Sequence, residues 1–190
     1  MIDYKKAISI IKKNKIKINS EIILSINSIN RISESDVYSP CNYPAADNTS
    51  FDGYAINSKE TRNLTNEKHE KFKILKTLAA GDNPKIKKVP KYSTVEVMTG
   101  AIIRKPFDTV VPIEQIKYFP NKINPKFIIL NKKIKKNNNV RFKSSDYKRG
   151  QKVISKGELI KPSHILAFKT LGIKKIKVKK KLKIIFYTTG

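Results

Sequence analysis

The spacing of apolar and polar residues changes along this 190-residue chain, and each change predicts a different structural element. At the start, Asp3 precedes Tyr4, Ala7, Ile8 and Ile11, whose spacing of three or four residues predicts a capped helix with a solvated, lysine-rich opposite face. Alternating or β-branched runs then predict short strands at residues 22–26, 37–38, 72–76, 94–98, 109–113 and 127–130. The first of these strands carries one apolar face, formed by Ile22, Leu24 and Ile26.

Turn-forming residues separate the strands in the middle of the chain. They cluster at residues 79–84 and 137–139, where Gly, Asp, Asn and Pro are concentrated. Proline cannot donate to a sheet ladder, so Pro112 must lie at an edge or at a strand end. Several short strands at these spacings predict a small antiparallel barrel or sandwich.

The pattern becomes helical again after Gly150. Pro162 predicts the first turn of a helix, and Gly172 predicts its end. The residues predicted to pack inward are Ile165, Leu166 and Phe168, and a strand is predicted at 173–178. The near-continuous apolar run at 182–190 predicts a strand buried on both faces, as in a parallel sheet. The alternative is an exposed tail that pairs locally.

The chain is strongly basic, with 41 Lys and Arg against 15 Asp and Glu and a net charge of +26. Only five of the 41 are Arg, the residue preferred for planar recognition of bases and phosphates, and the Lys are spread over the whole chain. Nucleic-acid binding is therefore not predicted, although anions should be attracted. The single Cys41 excludes an internal disulfide, and neither a signal peptide nor a long apolar stretch is present. We expect a cytoplasmic protein without a membrane partner.

Polar chemistry is concentrated at residues 47–55. Asp47, Asn48, Thr49, Ser50 and Asp52 fall within six residues, and Gly53 follows them. Polar groups on a loop between ordered elements are typical of binding and catalytic sites. An Asx-type turn that caps its own backbone would use the same residues, so both interpretations stand on chemistry alone.

This segment resembles the signature of the MoeA family, the molybdopterin molybdotransferases, to which the E domain of gephyrin also belongs. Three further stretches resemble family motifs in the same order: Val97-Met98-Thr99-Gly100-Ala101, Asp108-Thr109-Val110-Val111-Pro112-Ile113-Glu114, and Asn139-Val140-Arg141 followed by Ser144-Ser145-Asp146. The resemblance implies an α+β fold, in which a first α/β region is interrupted by an inserted small β-barrel-like domain and the chain ends in the first strand of a truncated α/β domain. The corresponding boundaries are 1–44 plus 147–180, 45–146 and 181–190.

The resemblance also implies a function. Such enzymes insert molybdenum from molybdate into adenylylated molybdopterin with release of AMP, using Mg²⁺ or another divalent cation, and they are homodimers that bind an anionic pterin substrate. The chain would be a fragment without activity alone. A non-catalytic dimerisation or scaffold module of the gephyrin type is the alternative. His69 and His164 have no partners at metal-ligand spacing, so the metal ligands are not predicted.

By position in these motifs, the catalytic side chains are expected to be Asp52, Thr99 and Asp146. The carboxylates of Asp52 and Asp146 are suited either to act as a general base or to bind a divalent cation. Further candidates for contact with the substrate are Asn48, Ser50 and Arg141, with Glu114 beside them. Arg141 is suited to an anionic phosphate because a guanidinium binds it through two hydrogen bonds, although a structural ion pair would use it equally well. Ser144-Ser145-Asp146 stands where the family has Gly-Glu-Asp.

Overall fold

The computed structural model describes residues 2–14, 17–185 and 187–188. Within them the helices are α1 (Tyr4–Lys13) and α2 (Pro162–Thr170), and the strands are β1 (Ser20–Leu24), β2 (Val37–Tyr38), β3 (Asn48–Thr49), β4 (Gly53–Ile56), β5 (Glu70–Leu78), β6 (Ser93–Val97), β7 (Thr109–Pro112), β8 (Lys117–Phe119), β9 (Phe127–Leu130), β10 (Val140–Arg141), β11 (Lys152–Ile154) and β12 (Lys175–Lys179). No helix among these residues is long and apolar enough to cross a membrane.

The chain divides into two compact units. Unit 1 combines Met1–Pro40 with Arg149–Gly190, and unit 2 is the continuous insertion Cys41–Lys148. The two ends of the insertion run side by side, since Tyr43 and Tyr147 form an antiparallel bridge. The two ends of unit 1 that flank it are also paired, because Ser39 N donates to Gln151 O over 2.8 Å.

Unit 1 is built from two antiparallel strand pairs and α2. The pairs are β1 with β12 and β2 with β11. Local signals define α2, because Pro162 needs no hydrogen-bond partner in the first turn and Gly172 takes a φ of 71°. Beyond Gly172, Ile173 N donates to Phe168 O over 2.8 Å and closes the helix end. The core beneath α2 consists of Ile154, Ile160, Phe168, Ile176 and Val178.

Several predictions for unit 1 are confirmed. The first helix begins where expected, with the Asp3 carboxylate accepting from Lys6 N at 2.9 Å. The strand at 37–38 forms as β2, and the strand predicted at 173–178 forms as β12 at Lys175–Lys179.

Other predictions for unit 1 are wrong in detail. The predicted apolar face of β1 points outward: Ile22 is 69% exposed, whereas Ile23 packs on the core. Ile26 lies beyond the strand in a 3₁₀ helix at Ser25–Asn27. On α2, Leu166 is 70% exposed and Ala167 is buried instead. In each case two neighbouring apolar residues could occupy the buried position, Ile22 or Ile23 in β1 and Leu166 or Ala167 in α2. Packing against the rest of unit 1 determines which of them is buried.

The strand predicted at 182–190 is not formed by the residues that the structure describes in that segment. Leu182, Ile184, Ile185 and Tyr187 are exposed and outside any strand. Phe186, Thr189 and Gly190 lie outside the described residues. A strand with two apolar faces needs neighbours on both sides, and none is supplied by the described residues here.

Unit 2 is dominated by a six-stranded sheet with the order β7-β4-β6-β5-β9-β8. Its strand β4 is buried on both faces, because Tyr54 and Ile56 pack into one core and Ala55 into another. The strands predicted around residues 72–76, 94–98, 109–113 and 127–130 are present as β5, β6, β7 and β9. Pro112 lies at the end of β7, which is an edge strand, as its missing N–H requires.

The sheet of unit 2 is mixed rather than antiparallel throughout. β5 and β6 pair in parallel, so the prediction of purely antiparallel pairing is wrong there. The parallel pair requires a crossover, and residues 79–92 between the two strands provide it, including the predicted turn in which Asp82 N donates to Ala79 O over 3.2 Å. β4 and β8 were missed because both are short and lie next to turn-forming residues.

Candidate functional site

Three of the four motif segments meet at the short strand β3. On one side β3 pairs with β10, so that Thr49 faces Val140 and Asn48 faces Arg141. On the other side Thr49 N donates to Ala101 O over 3.0 Å, and Gly100 N donates to Thr49 O over 2.9 Å. Two residues of β3 therefore hold the loops around Thr99 and Arg141 against each other.

Asp52 and Thr99 are in direct contact. Asp52 Oδ1 accepts from Thr99 N at 2.6 Å and from Thr99 Oγ1 at 2.7 Å. The hydrogen bond from the Thr99 hydroxyl, followed by the one from its backbone N–H, lowers the pKa of Asp52 below its usual range. The backbone carbonyl of Asp52 accepts from Ile113 N at 3.2 Å, which places Glu114 in the neighbouring turn. The motif segment at 108–114 is thereby joined to the other three.

The glycine after Asp52 is required by close packing. A Cβ atom at Gly53 would lie 2.2 Å from Val111 O and 2.9 Å from Val111 C, which are backbone atoms of β7. No real side chain makes such a contact, so only glycine lets β4 and β7 pair at this point. The Asp-Gly sequence thus fixes the distance between β4, which Asp52 directly precedes, and β7, which ends next to Ile113.

Arg141 and Asp146 form a second charged pair. An Arg141 guanidinium nitrogen donates to Asp146 Oδ2, and Ser145 Oγ donates to Asp146 Oδ1 over 3.0 Å. The guanidinium also lies 5.6 Å from the centre of the Tyr43 ring, within the range of a cation–π contact. Asp146 N donates to Tyr43 O over 3.1 Å, so Tyr43 contacts both members of the pair.

A cleft of about 490 Å³ connects the two pairs. It is lined by Thr99 and Arg141 together with Asn48 and Ser50, and by Tyr43, Pro44, Ala45, Ala46, Thr49, Gly100 and Ile102. Asp52 and Asp146 do not line the cleft themselves and are attached to it through Thr99 and Arg141. The structure thus brings five predicted residues to one cleft or its immediate border, and Asp146 joins them through its ion pair.

Two contributors were missed from the sequence. Tyr43 was assigned only to an extended, proline-rich lead-in, and its neighbours gave no sign of a contact with Arg141. Asn139 was assigned to a turn, which it does form with a φ of 58°, and to the Asn-Val-Arg motif, but not to the set of site residues. In addition, Asn139 Nδ2 donates to Val110 O over 2.9 Å and Ser50 N donates to Asn139 O over 3.1 Å. Asp47 has a structural role, since it accepts from Lys143 N at 2.8 Å.

The carboxylates of this site do not form a complete metal centre. Across the residues that the structure describes, no group of three or more His, Cys, Asp and Glu side chains could hold a metal ion. Asp52 is nevertheless suited to contribute one ligand, because an aspartate is ionised at neutral pH and its lowered pKa extends the ionised form further into the acid range. Magnesium ions are often bound by one or two carboxylates together with substrate phosphates and water.

Comparisons with known proteins agree on one family. The model of the MoeA N-terminal region, domain I and II, matches residues 2–172. The chain is 29% identical over 189 residues to a molybdopterin molybdenumtransferase from Staphylococcus aureus, covering 100% of this chain and 44% of that protein. It is 32% identical over 162 residues to a protein of the same name from Haemophilus influenzae, covering 85% and 37%. A solved structure of the molybdopterin biosynthesis MoeA protein from Pyrococcus horikosii matches with a TM-score of 0.78 at 26% identity, covering 93% of this chain and 44% of that one. The chain thus spans less than half the length of these relatives.

Proposed function

Because the chain belongs to the family of the MoeA N-terminal region, domain I and II, we propose that it is the N-terminal portion of a molybdopterin molybdenumtransferase. In this proposal the complete protein inserts molybdenum from molybdate into adenylylated molybdopterin and releases AMP. The observation that carries the proposal for this chain is the cleft in unit 2, where Thr99 holds Asp52 and Arg141 holds Asp146.

The cleft combines the groups that recognition of an anionic pterin substrate needs. Arg141 supplies a half-exposed guanidinium that can exchange its carboxylate partner for a phosphate oxygen. Asn48 and Ser50 add neutral hydrogen-bonding side chains to the same wall. Tyr43 offers an aromatic face that holds the guanidinium in place. These residues would bind and orient the substrate, and the bond-making groups would act from beyond this wall.

The lowered pKa of Asp52 favours a role as a cation ligand over a role as a general base. A general base works best when its pKa is close to the working pH, whereas the hydrogen bonds from Thr99 move the pKa of Asp52 in the opposite direction. A permanently ionised carboxylate is better suited to hold a divalent cation such as Mg²⁺ next to substrate phosphates. That cation, when bound, would supply positive charge that offsets the repulsion between Asp52 and the phosphates.

Further parts of the proposal concern the complete protein. We expect a cytoplasmic homodimer, a barrel-like closure of the inserted β-rich domain, and a further α/β domain following residue 180. We also expect the isolated 190-residue chain to lack insertion activity. The relatives support this last expectation, because their matched parts amount to 44% or less of their lengths.

The test uses a chimera in which this chain replaces the matched part of the Staphylococcus aureus relative. Formation of active molybdenum cofactor would be measured in cells that lack their own enzyme, and dimerisation by light scattering. We expect Asp52→Asn and Thr99→Val to lower cofactor formation by about 100-fold, since each removes an oriented polar group from the site. Thr99→Ser keeps the hydroxyl and should stay within a few-fold of the unmodified chimera.

Glu67→Gln, which changes an exposed carboxylate away from the cleft, is the matched control and should be silent. If Asp52→Asn and Thr99→Val form as much cofactor as Glu67→Gln while the dimer persists, the transferase role of these residues is wrong. That outcome would favour the scaffold alternative.

A further inference from the structure

A second cleft lies at the other end of β4 from the candidate site. It has a volume of about 460 Å³ and is lined by Ser58, Lys59, Arg62, Lys133, Ile134, Lys135 and Lys136. We call it the basic cleft. Asp52 directly precedes β4, and Ser58 follows it after Asn57, so six residue steps, about 20 Å of extended chain, separate Asp52 from the basic cleft.

One buried hydrogen bond joins the two walls of the basic cleft, and a second hydrogen bond fixes one wall to β7. One wall is the 3₁₀ helix at Ser58–Thr61 and the other is the segment 133–136. Thr61 Oγ1 accepts from Ile134 N at 2.9 Å, and Thr109 Oγ1 donates to Lys135 O over 3.0 Å. Thr61 and Thr109 are fully buried, and Ile134 packs into a hydrophobic core. The cationic side chains therefore project from backbone whose position is set by the fold.

The basic cleft carries an excess of positive charge that no ion pair to its lining cations neutralises among the described residues. Five of its seven lining residues are cationic and none is acidic. Within the described part of the chain, none of the five takes part in an ion pair. Two carboxylates lie next to the 3₁₀-helix wall without pairing with these cations: Asp108 accepts from Ser58 N and Oγ at 2.8 and 3.0 Å, and Glu60 accepts from Tyr92 N at 2.9 Å.

We propose that the basic cleft binds a small, multiply charged oxyanion of the diphosphate or triphosphate class. Several cations held around one concave site repel one another, and a compact polyanion relieves that repulsion at all of them together. The volume falls within the range of small-molecule sites. Arg62 provides the planar, two-donor contact that phosphate groups favour, and the lysines act as point charges. A nucleic acid would instead require a positive track that follows its backbone across the surface.

Calorimetric titration with inorganic pyrophosphate and with inorganic phosphate tests the proposal on the 190-residue chain. At 150 mM salt, pyrophosphate should bind with one site per chain and at least tenfold more tightly than phosphate. The triple variant Arg62→Gln, Lys133→Gln, Lys135→Gln should weaken pyrophosphate binding at least tenfold. A control with the same loss of charge, Lys87→Gln, Lys88→Gln, Lys122→Gln, changes exposed lysines of unit 2 outside the basic cleft and should weaken it less than twofold.

Equal weakening in the two triple variants would overturn the proposal, because the effect would then follow net charge alone. Tighter binding of random duplex DNA than of pyrophosphate at the same salt would overturn it in favour of a nucleic-acid surface. A measurement on the unmodified protein guards against misfolding of the variants: pyrophosphate should slow acetylation of Lys133, Lys135 and Lys136 by at least threefold and leave Lys87 and Lys88 unchanged. Uniform protection, or none, would contradict the site.

Discussion

Replacing Gly53 with alanine tests the packing that positions Asp52. The added Cβ would lie 2.2 Å from Val111 O and 3.1 Å from Pro112 Cα, and both atoms belong to the backbone of β7. Backbone cannot move aside as a side chain can, so β7 must separate from β4 where Gly53 pairs with Pro112. The hydrogen bond from Ile113 N to Asp52 O, 3.2 Å long, lies at the same point.

The expected loss follows from these contacts. Over-packing a well-packed site costs about 1–3 kcal/mol. Weakening of the hydrogen bond from Ile113 N to Asp52 O and of the strand pairing at Gly53 adds about 1 kcal/mol each. The free energy of unfolding of Gly53→Ala should therefore fall by about 3–5 kcal/mol. The loss should be accompanied by a change in the environment of Asp52, because this residue directly precedes the displaced strand.

Urea unfolding followed by circular dichroism measures this loss, with the free energy taken from linear extrapolation. Gly81→Ala is the matched control in the same unit. Gly81 has a φ of 93° and nothing within 4 Å of an added Cβ, so strain alone should cost about 1–2 kcal/mol. If the two variants lose the same free energy within about 1 kcal/mol, the close approach of β7 is not what requires glycine at position 53.

Two further substitutions test the candidate site itself. Thr99→Val removes the hydroxyl donor and should raise the pKa of Asp52 toward its ordinary value, measured by carboxyl-carbon NMR titration, whereas Thr99→Ser should leave it low. A carboxylate whose pKa is lower in the folded state stabilises the protein above its unfolded pKa of about 3.9, and this stabilisation is lost as the pH falls through the folded pKa. The Thr99→Val variant should therefore be less stable than wild type near neutral pH and equally stable in acid. An unchanged pKa of Asp52 in this variant would show that the Thr99 hydroxyl is not the cause of the shift. Ser144 has a φ of 64°, so Ser144→Gly should be more stable than Ser144→Ala by about 1 kcal/mol in thermal or urea unfolding, and equal stabilities would show that the backbone there is not strained.

The elements predicted correctly are those whose signals are local. Pro162 and Gly172 fix the two ends of α2 through their own backbone chemistry, and Asp3 caps α1 through its own side chain. The face of β1 was predicted wrongly because Ile22 and Ile23 are both apolar, and only the core of unit 1 selects Ile23. The parallel pairing of β5 with β6 is likewise a tertiary choice. No short stretch of sequence contains that information.

The candidate site likewise combines residues that the sequence indicated with contacts that only the fold determines. Family motifs indicated Asp52, Thr99 and Asp146, but the hydrogen bonds between Thr99 and Asp52 join residues 47 positions apart. Their formation depends on β3 pairing on both sides, which neither partner segment encodes alone. Tyr43 was missed for a related reason. Its role comes from the return of the chain at Tyr147 and Arg141, about 100 residues later.

The paired ends of the insertion have a practical consequence for engineering. Ser39 and Gln151 are hydrogen-bonded within unit 1, so removal of residues 41–148 leaves two chain ends that a tight turn of a few residues can join. Tyr43 and Tyr147 are likewise adjacent within unit 2, which therefore offers two neighbouring attachment points for grafting into a loop of an unrelated carrier protein. Unit 2 can therefore be removed or transplanted by cutting the coding sequence at two places, one at each end of the insertion.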